Sequence, residues 1–182
     1  SPQVSYRSGT RKIDVDGSIS GEYGAFDIPG STDDYLDAAV GLKAVIKADL
    51  RSRFVLTTGF NHDHDPFGLD RTENETFRTA DLDRWNQVQG GLRYLFGKPG
   101  ARVSAEIGLS KRRKHYITNR SSTQVLDSES DTADYAVFYH FTPKTSALVD
   151  FSRTGSEFEF PFTTPGAELR DGTFYRLRVG TR

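Results

Sequence analysis

The sequence predicts an all-β chain: an antiparallel up-and-down transmembrane β-barrel, present as an incomplete portion of about nine strands of a larger barrel. Three observations predict it. Apolar residues recur with a period of two along most of the chain. Short and long connections alternate strictly. Aromatic residues gather near strand ends on the apolar face.

The period of two places strands at 3–8, 12–22, 34–47, 53–62, 84–96, 101–114, 132–142, 145–156 and 172–182. In the third strand Leu36, Ala38, Val40, Leu42, Ala44 and Ile46 share a face, opposite Asp37, Gly41 and Lys43. In the fifth, Val88, Leu92, Tyr94 and Phe96 lie opposite Gln87, Gln89 and Arg93. In the sixth, Val103, Ala105, Ile107 and Leu109 lie opposite Arg102 and Glu106. In the seventh, Tyr135, Val137, Tyr139 and Phe141 face lipid while Asp134, Phe138 and His140 face inward. In the ninth, Tyr175, Leu177 and Val179 face away from Arg176 and Arg178.

The joins at Gly9-Thr10-Arg11, Ala48 to Ser52, Gly97-Lys98-Pro99-Gly100 and Pro143-Lys144 are short. Those around 24–33, 63–83, 115–131 and 157–171 are long. In a meander alternate joins lie at the same end, so all short turns fall at one end and all long loops at the other. Outer-membrane barrels sort their connections in this way; a soluble sandwich has no reason to. Phe54, Phe96 and Phe141 sit beside short turns on the apolar face, and Tyr23, Tyr135 and Tyr175 near the long-loop end. Together they form the expected interfacial girdles.

The opposite face is read as the lumen wall. It carries Asp14, Asp16, Glu22, Asp37, Lys43, Lys47, Arg53, Gln87, Gln89, Arg93, Arg102, Glu106, Asp134, Asp150, Arg176 and Arg178. Both signs are mixed, as in a solvated wall with charges paired across strands; a strongly ion-selective pore calls for a one-signed ring. The expected substrate path is lined by Lys43, Lys47, Trp85, Gln87, Gln89, Arg93, Arg102, Glu106, Arg176 and Arg178. Trp85 has inner-wall parity, where an aromatic stacks on a sugar ring, but a one-residue bulge would move it to the outer girdle.

Composition limits the function classes. The chain is 35% hydrophobic and 27% charged with net charge −1, which does not describe a nucleic-acid-binding basic domain. With no cysteine there is no disulfide, thiol catalysis or cysteine-bound zinc. No apolar run reaches the roughly 18–20 residues of a spanning helix, whereas a spanning strand needs only about 10. With no signal peptide and no methionine, the stretch reads as a mature chain or an internal piece of one. Asn61-His62-Asp63-His64-Asp65, with Asp70 beyond, places two histidines at i and i+2 where a strand would let them share an ion. The segment opens an acidic loop without a third spaced ligand and reads as solvated charge, so no metal is expected. Lys111-Arg112-Arg113-Lys114 is either a contact for lipopolysaccharide phosphates or a solvated strand tip. No catalytic constellation is present in the pattern, and no cofactor is expected.

The opening Gln3-Val4-Ser5-Tyr6-Arg7 reads as a strand already under way, and Tyr175 to Arg182 stop in mid-pattern without a terminal aromatic. The whole of 1–182 is therefore expected to be one barrel portion continuing beyond one or both ends, in a barrel of roughly 16 or more strands.

Arg84-Trp85-Asn86-Gln87 through Leu92-Arg93-Tyr94, the Gly-Lys-Pro-Gly turn, Thr142-Pro143-Lys144-Thr145 and Tyr175-Arg176-Leu177 carry a diffuse resemblance. From about Ser5 onward the chain resembles the outer-membrane β-barrel porins associated with exopolysaccharide and capsule gene clusters of Gram-negative bacteria. The resemblance implies an outer-membrane conduit or anchor for polysaccharide export, not an enzyme. Its implied partners are outer-membrane lipid and lipopolysaccharide, polysaccharide and periplasmic export components. The alternatives are a general diffusion porin, a non-transporting surface-display barrel and a soluble antiparallel β domain.

Overall fold

The structure is a computed structural model and describes residues 2–25, 34–65, 82–98, 100–142, 145–159 and 171–181. Nine strands form one antiparallel sheet in simple sequence order. They are β1 (Gln3–Gly9), β2 (Ile13–Gly24), β3 (Tyr35–Lys47), β4 (Ser52–His64), β5 (Arg84–Phe96), β6 (Val103–Tyr116), β7 (Ser128–Thr142), β8 (Thr145–Phe158) and β9 (Gly172–Thr181). β1 and β9 each pair with one neighbour only, so the sheet is not closed.

The short turns are built from local polar chemistry. Thr10 Oγ1 accepts the Ile13 N–H at 3.0 Å and Thr10 N–H donates to the Ile13 carbonyl at 2.6 Å. Asp49 Oδ1 accepts the Arg51 and Ser52 N–H groups at 2.5 and 2.9 Å, an Asx-type turn. Those backbone donors, Arg51 first, hold the Asp49 carboxyl below the usual carboxylate range. Between β5 and β6 the chain turns on Gly97 and Gly100, at φ 122° and 81°, values that favour glycine. Pro99 and Pro143-Lys144 lie outside the described residues.

Register is what sorts the side chains. Ile13, Ile46, Phe54, Tyr94, Ile107, Tyr135, Phe151 and Leu177 are successive cross-strand partners from β2 to β9. One residue along, Asp14, Val45, Val55, Arg93, Gly108, Asp134, Ser152 and Arg176 form the next row, on the opposite face. A one-residue slip of any strand would exchange these two sets, so the pattern holds the register.

The two faces differ in crowding. Val40, Leu92 and Ile107 on the apolar face are each 47% exposed, and Leu177 is 67% exposed. They do not converge into a dry centre. Within the strands, the buried residues Gly108, Tyr116, Ala136, Ser146 and Ser152 all lie on the polar face. At Gly108 an added Cβ would collide with the Asp134 carboxylate from the next strand. Greater crowding on the polar side is what a sheet curling with that side inward produces. Among the described residues the only buried hydrophobic side chains are Leu82, Tyr116 and Ala136.

The structure corrects the expected boundaries chiefly between β6 and β7. β6 runs on to Tyr116 and β7 starts at Ser128, reducing the expected 115–131 loop to 117–127. Both extensions carry polar groups on both faces, which erases the alternation signal; cross-strand charge holds them instead. Lys111 lies opposite Asp131 and ion-pairs with Glu129, and Arg113 lies opposite Glu129. Consequently Tyr135 is not near the long-loop end: it sits in mid-strand, opposite Ile107 and Phe151. The shortened connection contains one helical turn, α1 (Arg120–Thr123), followed by a 3-10 turn, Gln124–Leu126.

Candidate polar-face binding strip

The polar face divides into two zones. Toward the short turns it carries ion pairs: Arg7 with Asp16, Lys47 with Asp14 at 2.6 Å, and Arg178 with Asp150 at 2.9 Å. Arg93 lies 3.6 Å from Glu106 and 3.5 Å from Asp134, bridging β5, β6 and β7. Val45, Val55, Leu95 and Leu148 fill half-buried positions between these pairs.

Toward the long loops the same face turns neutral and small. Ser5, Ser18, Gly41, Gly59, Gln89, Arg112, Ser130, Ser156 and Gly172 are successive partners across all nine strands. The adjacent row on this face runs Arg7, Asp16, Lys43, Thr57, Gly91, Ser110, Thr132, Thr154 and Phe174, charged on β1 to β3 and neutral from β4 to β9. The glycines are functional in shape: a Cβ on Gly59 would meet Gln89 Nε2 at 3.1 Å, so the Gln89 side chain lies across the space that Gly59 leaves. Thr132 and Thr154 share a hydroxyl hydrogen bond of 3.1 Å. Hydroxyls and carboxamides offer both donors and acceptors to a polyhydroxylated ligand.

Above this strip stands an aromatic and charged cluster. The β4–β5 and β5–β6 ladders run unshifted through Trp85, opposite Asp63 and Tyr116, which puts it on the polar face without a bulge. Its indole N–H donates to Asp65 Oδ1 at 3.0 Å. Lys114 Nζ lies 4.1 Å from the Trp85 ring centroid and 4.6 Å from that of Tyr116, close enough for cation–π attraction. The Tyr116 hydroxyl donates to Asp65 Oδ2 at 2.8 Å.

The 117–127 connection packs beside this cluster around Asp127, which is 1% exposed. Asp127 accepts the Tyr116 N–H at 2.7 Å and Arg120 Nη1 at 2.6 Å, and faces His115 Nδ1 at 2.8 Å. Asn119, in the left-handed region at φ 51°, donates from Nδ2 to Asp83 at 2.6 Å. Thr118 Oγ1 donates to the Leu82 carbonyl, also at 2.6 Å. These bonds lay the connection over the start of β5.

Arg102 precedes β6 and has no register partner; the structure places the other expected lumen residues, Lys43, Lys47, Trp85, Gln87, Gln89, Arg93, Glu106, Arg176 and Arg178, on the polar side of the register. It does not make them one cluster; they spread over β3 to β9. Of the expected girdle, Phe54 meets the Tyr94 ring at a tilt, 5.1 Å between centroids, and Phe96 lies opposite Ser52 and Ala105. Phe141 sits at a register irregularity and meets Tyr139 edge-on at 5.0 Å. Tyr175 lies 6.3 Å from Phe151.

Two sequence readings change. His62 and His64 take separate partners, Asn86 at 2.7 Å and Asp37 at 2.9 Å, and do not converge on one point. Asp37, Asp63 and His64, and separately His115, Asp127 and Glu159, gather ligand-type atoms within 4.8 Å of one another. In the second group the Arg120 guanidinium already supplies a cation to Asp127. Asp70 lies outside the described residues. The basic run at 111–114 is not one patch, because strand alternation divides it. Lys111 and Arg113 point to the apolar side, paired with Glu129 and with Glu159, the latter at 2.7 Å. Arg112 and Lys114 belong to the polar face. Arg112, in the middle of the neutral strip, was not among the expected lumen residues. Its parity with Glu106 was the signal that identifies it.

Compared with family models, curated proteins and solved structures, the chain finds no match.

Proposed function

We propose that this chain is a portion of a bacterial outer-membrane β-barrel that serves as a conduit or anchor in exopolysaccharide or capsule export, with no catalytic role. The observation that carries the reading is the uncovered apolar face. Covering a large apolar side chain is worth about 1.5–3 kcal/mol. Left in water, rows of Leu, Ile, Val, Phe and Tyr across eight strands would forgo on the order of tens of kcal/mol, against a net domain stability of about 5–15 kcal/mol. Acyl chains cover such a face without a second protein layer.

The height of the apolar face suits this. On β3 it runs from Leu36 to Ile46, roughly 33 Å of extended strand at about 3.3 Å per residue. A tilt of about 40° reduces that to roughly 25 Å, the height of an outer-membrane apolar band. Beyond Leu109 and Ala133 the same face changes to Lys111, Arg113, Asp131 and Glu129, as expected where strands leave the hydrocarbon. Open β1 and β9 edges are not tolerated there, so on this reading both edges are paired in the assembled barrel.

The polar strip supports saccharide passage in particular, since its hydroxyls and carboxamides replace water around a sugar. The test is conductance of the reconstituted protein in planar bilayers. A steady conductance blocked by the polysaccharide of its own cell, but not by small sugars, is expected. Equal block by small sugars would make it a general diffusion porin, and absence of conductance a display barrel; either overturns the conduit reading.

A further inference from the structure

We infer that the polar strip contains a subsite for a carboxylate-bearing saccharide, centred on Arg112. This rests on the conduit reading and deepens it by naming the substrate class.

The first argument is the balance of free charge. On the polar face each described strand carboxylate is engaged. Asp14, Asp16, Glu106, Asp134 and Asp150 face lysine or arginine. Glu22 accepts from Tyr35 at 3.3 Å, Asp37 faces His64, and Asp63 accepts the His64 N–H at 2.7 Å. Cations are left over. Lys43, Arg53 and Arg112 have no hydrogen bond or ion pair from their side chains among the described residues. Among the described residues, Lys43, Arg53 and Arg112 are thus cations of this face that no carboxylate neutralises.

The second argument is the setting of Arg112. It is the single charged residue in its own nine-strand row, between Gln89 and Ser130. Ser110 and Thr132 stand in the adjacent row. A guanidinium presents a planar fork that matches a carboxylate with two parallel N–H···O bonds. Neutral hydroxyls and a carboxamide around it suit the ring hydroxyls of the same sugar unit. An arginine meant to stabilise the sheet would face an acidic partner, as Arg93 does.

The test is calorimetric titration of the full chain in detergent micelles with two probes of equal length, an α-1,4-linked galacturonate oligomer and a maltose oligomer. The uronate oligomer is expected to bind about tenfold or more tightly than the neutral one. Arg112→Gln is expected to remove about tenfold of uronate affinity and leave the neutral probe unchanged. Arg113→Gln, on the other face, is expected to change neither. Circular dichroism verifies that each variant retains its strands. Equal binding of both probes, no effect of Arg112→Gln, or an equal loss with Arg113→Gln overturns the subsite. A protein that conducts but fails here refutes the inference alone; a protein that does not conduct refutes the conduit, whatever it binds.

Discussion

Asp127 shows how much one side chain organises at the long-loop end. It is 1% exposed and receives a backbone N–H from Tyr116 and a guanidinium from Arg120. Removing a buried hydrogen-bond acceptor costs about 1–3 kcal/mol, because the donors left behind lose their partner. Asp127→Ala is therefore expected to raise the amide exchange rate of Tyr116 by roughly ten- to a hundredfold, with β2 and β3 unaffected. Hydrogen exchange read residue by residue checks this; an unchanged rate at Tyr116 would mean that the connection is held elsewhere. Nothing in the local sequence marks Asp127. It is one acid among several between 115 and 131, and its burial arises only when β6 and β7 bring Tyr116, His115 and Arg120 round it.

At the scale of the strand, adjacent residues on β4 report opposite environments. Leu56 lies opposite Ala44 and Leu92 on the apolar side; Thr57 lies opposite Lys43 and Gly91 on the polar side. If acyl chains cover the first, Leu56→Arg is expected to destabilise the folded barrel by about 2–4 kcal/mol, the range for arginine near the bilayer midplane. On the same condition, Thr57→Arg is expected to change it by less than about 1 kcal/mol, since the group would then point into a hydrated lumen. Urea unfolding in lipid vesicles measures both. Equal losses would show that both faces are dry. The strands themselves were readable because period-two alternation is written into the sequence wherever one face is apolar. It failed at 115–116 and 128–131, where Glu129 and Asp131 occupy the face that is apolar further down. There, pairing of opposite charges across strands replaces the hydrophobic pattern as the determinant of structure.

For the whole molecule the decisive property is that an open nine-stranded sheet leaves both an apolar face and two unpaired edges. Such edges template association with other chains. In cells the protein is expected to sediment with the outer membrane and to need detergent for extraction. Without detergent the purified chain is expected to scatter light as large assemblies. Extraction by buffer alone as a monodisperse monomer would establish a soluble β domain and remove the membrane reading. The charge balance belongs to this scale as well. A net charge of −1 conceals a polar face on which Asp14, Asp16, Glu106, Asp134 and Asp150 are paired with lysine or arginine while, among the described residues, Arg112 faces no carboxylate.

The sequence by itself determined the all-β class, the order and nearly all the limits of the strands, and which side chains share a face. Each of these follows from a local period of two and from turn residues such as Asp49 and Gly97, which act within a few positions of themselves. Only the tertiary structure decided what stands beside what. Trp85 could be assigned to a face only once its register with Asp63 and Tyr116 was fixed, and the histidines separated only when β3 and β5 supplied Asp37 and Asn86. Arg112 stood out from its basic neighbours only when Lys111, Arg113 and Lys114 had found partners elsewhere in the chain. Pairing between residues far apart in the chain is set by the register of whole strands, and no short stretch of sequence contains it.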